Sequence, residues 1–372
     1  MNAIELTQAL VRLDSINPQS PERPCAELTG GLLEGAGFSV ARHEFAPGRT
    51  SIVARRAGTA SGEAPLCFAG HLDTVPLGKA PWSHDPLGGE LSAGRLFGRG
   101  SSDMKSGIAA MVAAALELAR APLRRGLTLL LVSGEETGCE GSLHLARTPG
   151  ALGTASALVI GEPTDNRPVL GHKGALWIRA RTRGVTAHGS MPERGVNAVV
   201  KAARAVLALE EFRFEVLPDP LLGAPTLNVG TFHGGLNLNS VPDEATFGLD
   251  LRTIPALRHQ DLLRALQERL GPEVELEPLV DLEGISTQAD HPFVETVRDA
   301  LEEAIGDRPP TGIATYFTDA SVLKPAYGGV PTVILGPGEM ALCHQTDEHC
   351  RVDRVEQAVA AYLGLARAWC GA

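Results

Sequence analysis

The chain of 372 residues has no uninterrupted apolar stretch of the roughly 20 residues that a membrane-spanning helix needs. It also lacks an excess of basic residues, because 33 Lys and Arg face 44 Asp and Glu, which gives a formal net charge of −11. Nucleic acids and anionic membranes bind to basic surfaces, so neither is expected as a partner. The 44% hydrophobic and 21% charged residues otherwise indicate an ordinary globular protein.

Cysteine is scarce as well. The six cysteines have no regular spacing, so we expect no disulfide framework and mostly reduced thiols. The first 20 residues, MNAIELTQALVRLDSINPQS, lack the basic and apolar segments of a secretory signal and instead predict an amphipathic helix. These features favour a cytoplasmic protein. No G-x-G-x-x-G motif follows the first strand, which excludes a doubly wound dehydrogenase.

The order of the apolar segments predicts two domains. In the first half, strands such as LTLLLVS alternate with apolar helical segments such as SGIAAMVAAALELAR, which predicts an α/β fold with a mostly parallel sheet. From about Gly174 the order becomes β-α-β-β-α-β, the split ferredoxin-like arrangement. The first pattern then resumes. We therefore predict a discontinuous domain of residues 1–173 and 283–372, into which a domain of residues 174–282 is inserted.

Residues that can bind metal ions follow the predicted strands of the first domain. Each lies just past an apolar run or in a glycine-rich turn before a helix: His71, Asp73, Asp103, Glu135, Glu136, Glu162 and His344. The carboxyl ends of parallel strands meet at one edge of a sheet, where ligands bind in α/β proteins. Carboxylates gathered there would raise each other's pKa, and two divalent cations would relieve that repulsion. Imidazole and carboxylate ligands suit zinc, with manganese or cobalt as alternatives.

The same segments resemble, in order, the motifs of the M20 co-catalytic metallopeptidases. The matching segments are AGHLDTVP, GRGSSDMKSG, SGEETG, GEPT and CHQTDE. This family includes the acetylornithine deacetylases, the succinyl-diaminopimelate desuccinylases, the aminoacylases and carboxypeptidase G2. The resemblance covers nearly the whole chain. It implies a phosphorylase/hydrolase-like three-layer catalytic domain, with the inserted ferredoxin-like domain acting as a lid and in dimerisation.

The resemblance further implies a set of metal ligands. His71 and Glu162 would hold one metal ion. Glu136 and His344 would hold the other, and Asp103 would bridge the two ions. The peptide bond that follows Asp103 would be cis.

Five other residues would act around these ions. Asp73 would hydrogen-bond to the neighbouring histidine ligand and fix its tautomer. Glu135 would take the proton from the water between the metal ions. His188, in the inserted domain, would stabilise the oxyanion in the active site of the partner subunit of a homodimer. Arg252 and Asn239 would contact the substrate.

These roles predict a di-metal amidohydrolase that removes the N-acyl group from an amino acid. The C-terminal segment favours the acetylornithine deacetylase pattern, because the desuccinylases have a Gly-Thr-Ser-Asp-Gly type of loop where this chain has YFTD at 316–319. A dipeptidase or carboxypeptidase of the same family is the alternative, with a dipeptide or peptide as substrate. A binding protein without enzymatic activity is a further alternative, although the presence of Glu135, which is not a ligand, argues against it.

The segment CHQTDEHC allows one more interpretation. Cys343, His344, His349 and Cys350 could form a closed structural zinc site. The cysteine and histidine of each pair are adjacent, however, whereas the ligands of such sites are usually two or more residues apart. We therefore expect His344 to be the only metal ligand among them.

Overall fold

The structure is a computed structural model, and it describes residues 1–371. The helices are α1 (Ala3–Val11), α2 (Arg23–Gly35), α3 (Ser106–Leu118), α4 (Glu140–Arg147), α5 (Ala198–Glu210), α6 (His259–Leu270), α7 (Pro292–Ile305), α8 (Ala320–Ala326) and α9 (Val352–Cys370). Short helical turns occur at Ser101–Lys105, Pro192–Arg194 and Met340–Leu342. Among the described residues, no helix is both long and apolar enough to cross a membrane.

The strands begin with β1 (Ser39–Ala46), β2 (Arg49–Arg56), β3 (Leu66–His71), β4 (Glu90–Ser92), β5 (Arg95–Phe97), β6 (Leu127–Val132), β7 (Ala157–Ile160) and β8 (Val169–His172). They continue with β9 (Gly174–Arg183), β10 (Thr226–Gly234), β11 (Glu244–Thr253), β12 (Val274–Leu282), β13 (Ile285–Ser286), β14 (Gly312–Ala314), β15 (Thr332–Ile334) and β16 (His349–Arg351).

These elements form two compact units. The first unit consists of Met1–Gly171, Ser286–Ile313 and the chain from Thr318 onward. The second unit consists of His172–Ile285 and the separate segment Ala314–Phe317. The sequence pattern did not assign that last segment to the inserted domain.

The large sheet of the first unit has the strand order β1-β2-β6-β3-β7-β15-β8-β13. The strands β6, β3, β7 and β15 are parallel to one another, whereas β1, β2 and β8 pair in antiparallel fashion. The predicted α/β class is confirmed, but only the centre of the sheet is parallel. Only two residues join β1 to β2, and such a short connection permits only an antiparallel pair. The four central strands direct their carboxyl ends to one edge.

One hydrophobic core holds the helices of the first unit against this sheet. The helices that contribute to it are α1, α2, α3, α7 and α9. Alternate residues of β6, namely Leu127, Leu129 and Leu131, face the core, as the two-residue period of a strand requires. The strands β3, β6 and β7 are completely buried, which explains their continuous apolar sequences.

The second unit has a four-stranded antiparallel sheet in the order β10-β11-β9-β12. Its helices α5 and α6 share a core with one face of that sheet. Alternate residues of β11 are buried, and the residues between them are partly exposed. The order of its elements is the β-α-β-β-α-β order that the sequence predicts.

A glycine sets the distance between α3 and the strand edge. A Cβ atom added to Gly107 would lie 2.1 Å from the carbonyl oxygen of Gly161. Gly161 directly precedes Glu162, so α3 contacts the backbone that carries one of the predicted ligands. A larger residue at 107 would have to push that backbone away.

Gly107→Ala is therefore expected to lower the free energy of unfolding by about 1–3 kcal/mol, the usual cost of overpacking. Gly31→Ala is the matched control, because Gly31 lies inside α2 and a Cβ there would meet no atom within 4 Å. This control should leave stability unchanged or raise it by up to about 1 kcal/mol. Urea unfolding of both variants measures the difference, and equal stabilities would contradict the close contact.

Candidate metal and active site

The parallel strands bring predicted ligands to one edge of the sheet. His71 ends β3, Glu135 and Glu136 lie shortly after β6, and Glu162 lies shortly after β7. Asp103 lies in the turn that leads into α3, where its backbone departs from helical conformation. The peptide bond that follows Asp103 is cis, as the resemblance implies.

Asp103 stands between two groups of candidate ligands. In the first group, His71 Nε2 lies 3.2 Å from Asp103 Oδ1 and 3.8 Å from Glu162 Oε1. In the second group, His344 Nε2 lies 3.4 Å from Asp103 Oδ2 and 3.1 Å from Glu136 Oε1. Within each group the candidate ligand atoms all lie within 4.8 Å of one another. Asp103 thus offers one oxygen to each group.

Glu135 lies close to both groups. Its side chain is buried, and one of its oxygens lies within 4.8 Å of candidate ligand atoms of His71 and Glu136. At this distance its carboxylate can reach either a metal ion or a water molecule beside one. The two roles differ in their effect on metal content, which mutation can measure.

The buried carboxylates disfavour each other's ionisation. Burial raises the pKa of Glu162 well above its ordinary value; His71 opposes this effect and Asp103 adds to it. Burial likewise raises the pKa of Glu135; His71 again opposes it, and Glu162 adds to it. The Oε1 atom of Glu162 is buried and has no hydrogen-bond partner among the described residues. A divalent cation would relieve the repulsion and give that oxygen a partner, so the donor set fits a metal centre.

The carboxylates also raise the pKa of the two imidazoles, which favours the charged form of each ring. Burial lowers the pKa of His71, but the surrounding carboxylates, Glu162 foremost, outweigh burial and hold the pKa well above its ordinary value. Hydrogen bonds to Asp103 and Glu136 raise the pKa of His344 to about 10. Both shifts show that negative charge predominates at this edge of the sheet.

The tautomer of His71 follows from a main-chain contact. His71 Nδ1 lies 3.0 Å from the main-chain carbonyl oxygen of Asp73, whereas the nearest Asp73 carboxylate oxygen is 3.6 Å away. A carbonyl oxygen only accepts hydrogen bonds, so Nδ1 carries a proton, and Nε2 is the nitrogen that would give up its proton to a metal ion. The backbone of Asp73 therefore makes the contact that we predicted for its side chain.

The Asp73 carboxylate instead orients the glutamate pair. Its oxygens accept hydrogen bonds from the main-chain amides of Glu135 and Glu136, each at 3.1 Å. The side-chain amide of Asn17 also donates to it. Sequence reasoning did not identify Asn17, and the only signal was the Asn-Pro pair that ends the N-terminal segment.

Known proteins resemble the chain over its whole length. Residues 67–368 match the family described as Peptidase family M20/M25/M40. The chain belongs to peptidase family M20. An acetylornithine deacetylase from Myxococcus xanthus is 32% identical, with 97% of this chain and 96% of the relative aligned. One from Vibrio atlanticus is 29% identical, with 99% and 98% aligned. An M20 family metallo-carboxypeptidase from Sulfolobus solfataricus shares the fold, with a TM-score of 0.82, 17% identity and complete coverage of both chains.

The second unit of this M20 hydrolase holds two of the predicted site residues side by side. The main-chain amide of Gly189 donates to the carbonyl oxygen of Asn239 at 2.7 Å, and His188 forms a β-bridge with Ser240. His188 and Asn239 are both exposed. The structure therefore brings these two residues together, whereas the candidate metal ligands all belong to the first unit.

Arg252, the third predicted residue of the second unit, has partners of its own. Its Nε lies 3.0 Å from Asp250 Oδ1, and its guanidinium lies over the ring of Trp177, 5.8 Å from the centroid. Trp177 Nε1 donates to the same Asp250 oxygen at 3.0 Å. Asp250 and Arg252 are two residues apart on β11 and so project from the same face of the sheet. A substrate carboxylate would therefore compete with Asp250 for Arg252.

The alternative zinc site in CHQTDEHC is not formed. Across residues 1–371, the groups of side chains that could hold a metal ion contain no cysteine. Cys350 is buried in β16, and Cys343 Sγ lies 3.6 Å from the carbonyl oxygen of Glu339. Of the four candidate residues, only His344 belongs to a possible metal group.

Glu136→Gln and Glu135→Gln should differ in metal content. Elemental analysis of the metal-loaded protein is expected to find two ions per chain in the wild type and in Glu135→Gln, because this variant keeps all the predicted ligands. Glu136→Gln should lose most of one ion, because it replaces a charged ligand with a neutral one. Equal metal contents in the two variants would show that the two glutamates do not divide the roles as we infer.

Proposed function

We propose that this M20 hydrolase is a two-metal amidohydrolase that removes the acyl group from an N-acyl amino acid. The observation that carries the proposal is Asp103, which offers one oxygen to each of two groups of candidate ligands. The relatives named acetylornithine deacetylase support the substrate class, because they align with nearly the whole chain.

Two divalent cations would occupy these groups. His71 and Glu162 would bind one ion, His344 and Glu136 would bind the other, and Asp103 would bridge them. Two imidazoles together with carboxylates suit Zn²⁺, with Co²⁺ or Mn²⁺ as alternatives. Bound there, the ions would polarise the scissile carbonyl and lower the pKa of a water molecule.

Glu135 would act as the general base. Its carboxylate is buried beside both candidate groups, within reach of a water molecule that the two ions would hold. The hydrogen bond from its main-chain amide to Asp73 holds its backbone in place. Glu135 would accept the proton of the attacking water and then transfer it to the leaving amine.

His188 and Asn239 would complete the site of a partner subunit in a homodimer. Two features of the second unit support this assembly. The strand β10 lies at the edge of its sheet, where an unpaired strand can associate with another chain. The segment beside Asn239 exposes two apolar side chains, Leu236 and Leu238, almost completely. In this arrangement His188 would stabilise the oxyanion that forms during hydrolysis.

We also propose a cytoplasmic location for the enzyme. All six cysteines are free, and five of them are buried. Unpaired buried thiols are typical of proteins from reducing compartments.

A panel of substrates tests the proposed function. The metal-loaded enzyme should cleave N-acetyl amino acids, N-acetylornithine among them, faster than dipeptides of the same residues. Chelation should abolish turnover and added divalent metal should restore it, while Glu135→Gln should reduce kcat by at least about 100-fold. Faster cleavage of dipeptides would favour the dipeptidase alternative, and full turnover by metal-free protein would contradict both.

Substitutions at Arg252 and Asp250 test recognition of the substrate carboxylate. A planar guanidinium binds a carboxylate through two parallel hydrogen bonds, so Arg252→Ala should raise KM for an N-acyl amino acid roughly 10- to 150-fold, equivalent to about 1.5–3 kcal/mol. Asp250→Asn should lower KM by up to about fivefold, because it removes a competing and partly exposed ion pair. Substrates with an amidated carboxylate serve as the control and should show neither effect. Equal changes in KM for acid and amide would rule Arg252 out as the anchor.

Mixing two inactive variants tests the shared site. A subunit with His188→Ala and a subunit with Glu135→Gln should each be inactive alone. In a hybrid, the subunit that retains Glu135 would receive His188 from its partner. A fully exchanged equimolar mixture should therefore recover about a quarter of wild-type activity, since half the dimers are hybrids with one intact site each. No recovery in a mixture shown by mass spectrometry to contain hybrids would contradict donation from the partner.

A further inference from the structure

A buried carboxylate outside the candidate site holds one of its loops. Glu348 is completely buried, and its Oε1 accepts hydrogen bonds from the main-chain amides of Ser102 and Asp103 at 2.8 and 2.9 Å. Its Oε2 accepts from the amide of Gly100 at 3.0 Å and from Arg99 Nη1 at 2.5 Å. Four donors therefore surround this carboxylate, three of them from a single turn.

The arginine that neutralises this carboxylate is fixed by further contacts. Arg99 is almost completely buried and also donates to the main-chain carbonyl oxygens of Gln345 and Pro76, at 3.3 and 3.1 Å. Its guanidinium lies over the ring of Trp82, 5.2 Å from the centroid. The ion pair with Glu348 thus has a fixed geometry, and the arginine offsets part of the cost of burying the carboxylate.

The turn and the loop that Glu348 connects each carry a proposed metal ligand. The turn at residues 100–103 ends in Asp103, and the loop at residues 339–348 contains His344. The loop is attached to the turn at both ends. At its start, the main-chain amide of Glu339 donates to Ser102 Oγ at 2.7 Å, and at its end Glu348 accepts from the same turn.

The histidine at the middle of this loop has little other support. His344 has a left-handed backbone conformation, with φ of 62°, and about half of its side chain is exposed. Among the described residues, the polar partners of its imidazole are carboxylates of the candidate metal site. Its position relative to Asp103 must therefore come from the attachments of the loop, which are those to the turn at Glu339 and Glu348 and the contact of Arg99 with the carbonyl oxygen of Gln345.

We propose that Glu348 is a positioning residue that sets the distance between Asp103 and His344 and thereby the affinity of one of the two cations. The affected ion is the one assigned to Asp103, Glu136 and His344. The other ion is assigned to Asp103, His71 and Glu162. It shares Asp103, but His71 and Glu162 belong to β3 and to the segment after β7, so its affinity depends less on the loop that carries His344. This inference rests on the metal ligands of the proposed function.

Glu348→Gln tests the role with little change of shape. The glutamine keeps one oxygen for the amides of Ser102 and Asp103, but its NH₂ group faces the donors of Gly100 and Arg99. Titration of metal-free protein with Zn²⁺ should show one affinity near the wild-type value and one weakened roughly 10- to 100-fold, the usual effect of losing a group that supports a metal ligand. Excess Zn²⁺ should restore turnover towards the wild-type value.

Asp347→Asn is the matched control. Asp347 is the neighbouring carboxylate of the same loop, but it accepts hydrogen bonds from Ser83 and is not bonded to the turn. Asparagine tolerates the left-handed backbone at this position. Both Zn²⁺ affinities of this variant should stay within about fivefold of the wild-type values, as for the loss of a surface contact.

The outcomes separate this inference from the proposed function. A wild-type protein that binds fewer than two ions would overturn both. Two ions in the wild type, with unchanged or equally weakened affinities in Glu348→Gln, would overturn only the positioning role. If Glu348→Gln does not fold, Ser102→Ala decides the question, because it removes the attachment at Glu339 without changing a charge. It should selectively weaken the same ion, and unchanged affinities would contradict the role of the loop.

Discussion

The mutual repulsion of buried carboxylates is the constraint on which the rest of the site depends. Glu135, Glu136 and Glu162 all have raised pKa values because they are buried, and nearby acidic groups add to the effect. Such a group of acids is unfavourable unless positive charge is placed among them. The arrangement of two imidazoles around the shared Asp103 makes room for that charge, and the parallel strands hold the ligands at one edge.

The groups around the ligands act by fixing backbone. Asp73 binds the amides of Glu135 and Glu136, and its own carbonyl oxygen fixes the tautomer of His71. Glu348 likewise accepts a hydrogen bond from the main-chain amide of Asp103 and so fixes the turn there. Both carboxylates bind main-chain amides and are completely buried, so each converts a flexible loop into a defined geometry. We infer that the spacing of the two proposed cations depends on these two acids as much as on the residues that would bind them.

Local patterns were enough to predict which side chains gather at this edge of the sheet, because each candidate ligand lies shortly after a buried apolar strand or in a glycine-rich turn. The ferredoxin-like order of the second unit was likewise readable from periodicity. The contacts of Glu348 could not be predicted from the sequence, because its partner Asp103 is 245 residues away along the chain. The antiparallel strands β1 and β2 were missed because their pairing depends on a hairpin that the sequence pattern left unassigned. The partners of Arg252 were not predicted either, because Asp250 comes from the same strand β11 but the aromatic ring of Trp177 comes from another strand.

The central claim is that two cations share Asp103 at the edge of the parallel strands. Crystals of zinc-loaded protein, measured at wavelengths on both sides of the zinc absorption edge, would locate the ions directly. We expect two anomalous peaks per chain, roughly 3.5–4 Å apart, with one oxygen of Asp103 directed at each. A single peak, or peaks that lie away from Asp103, would contradict it.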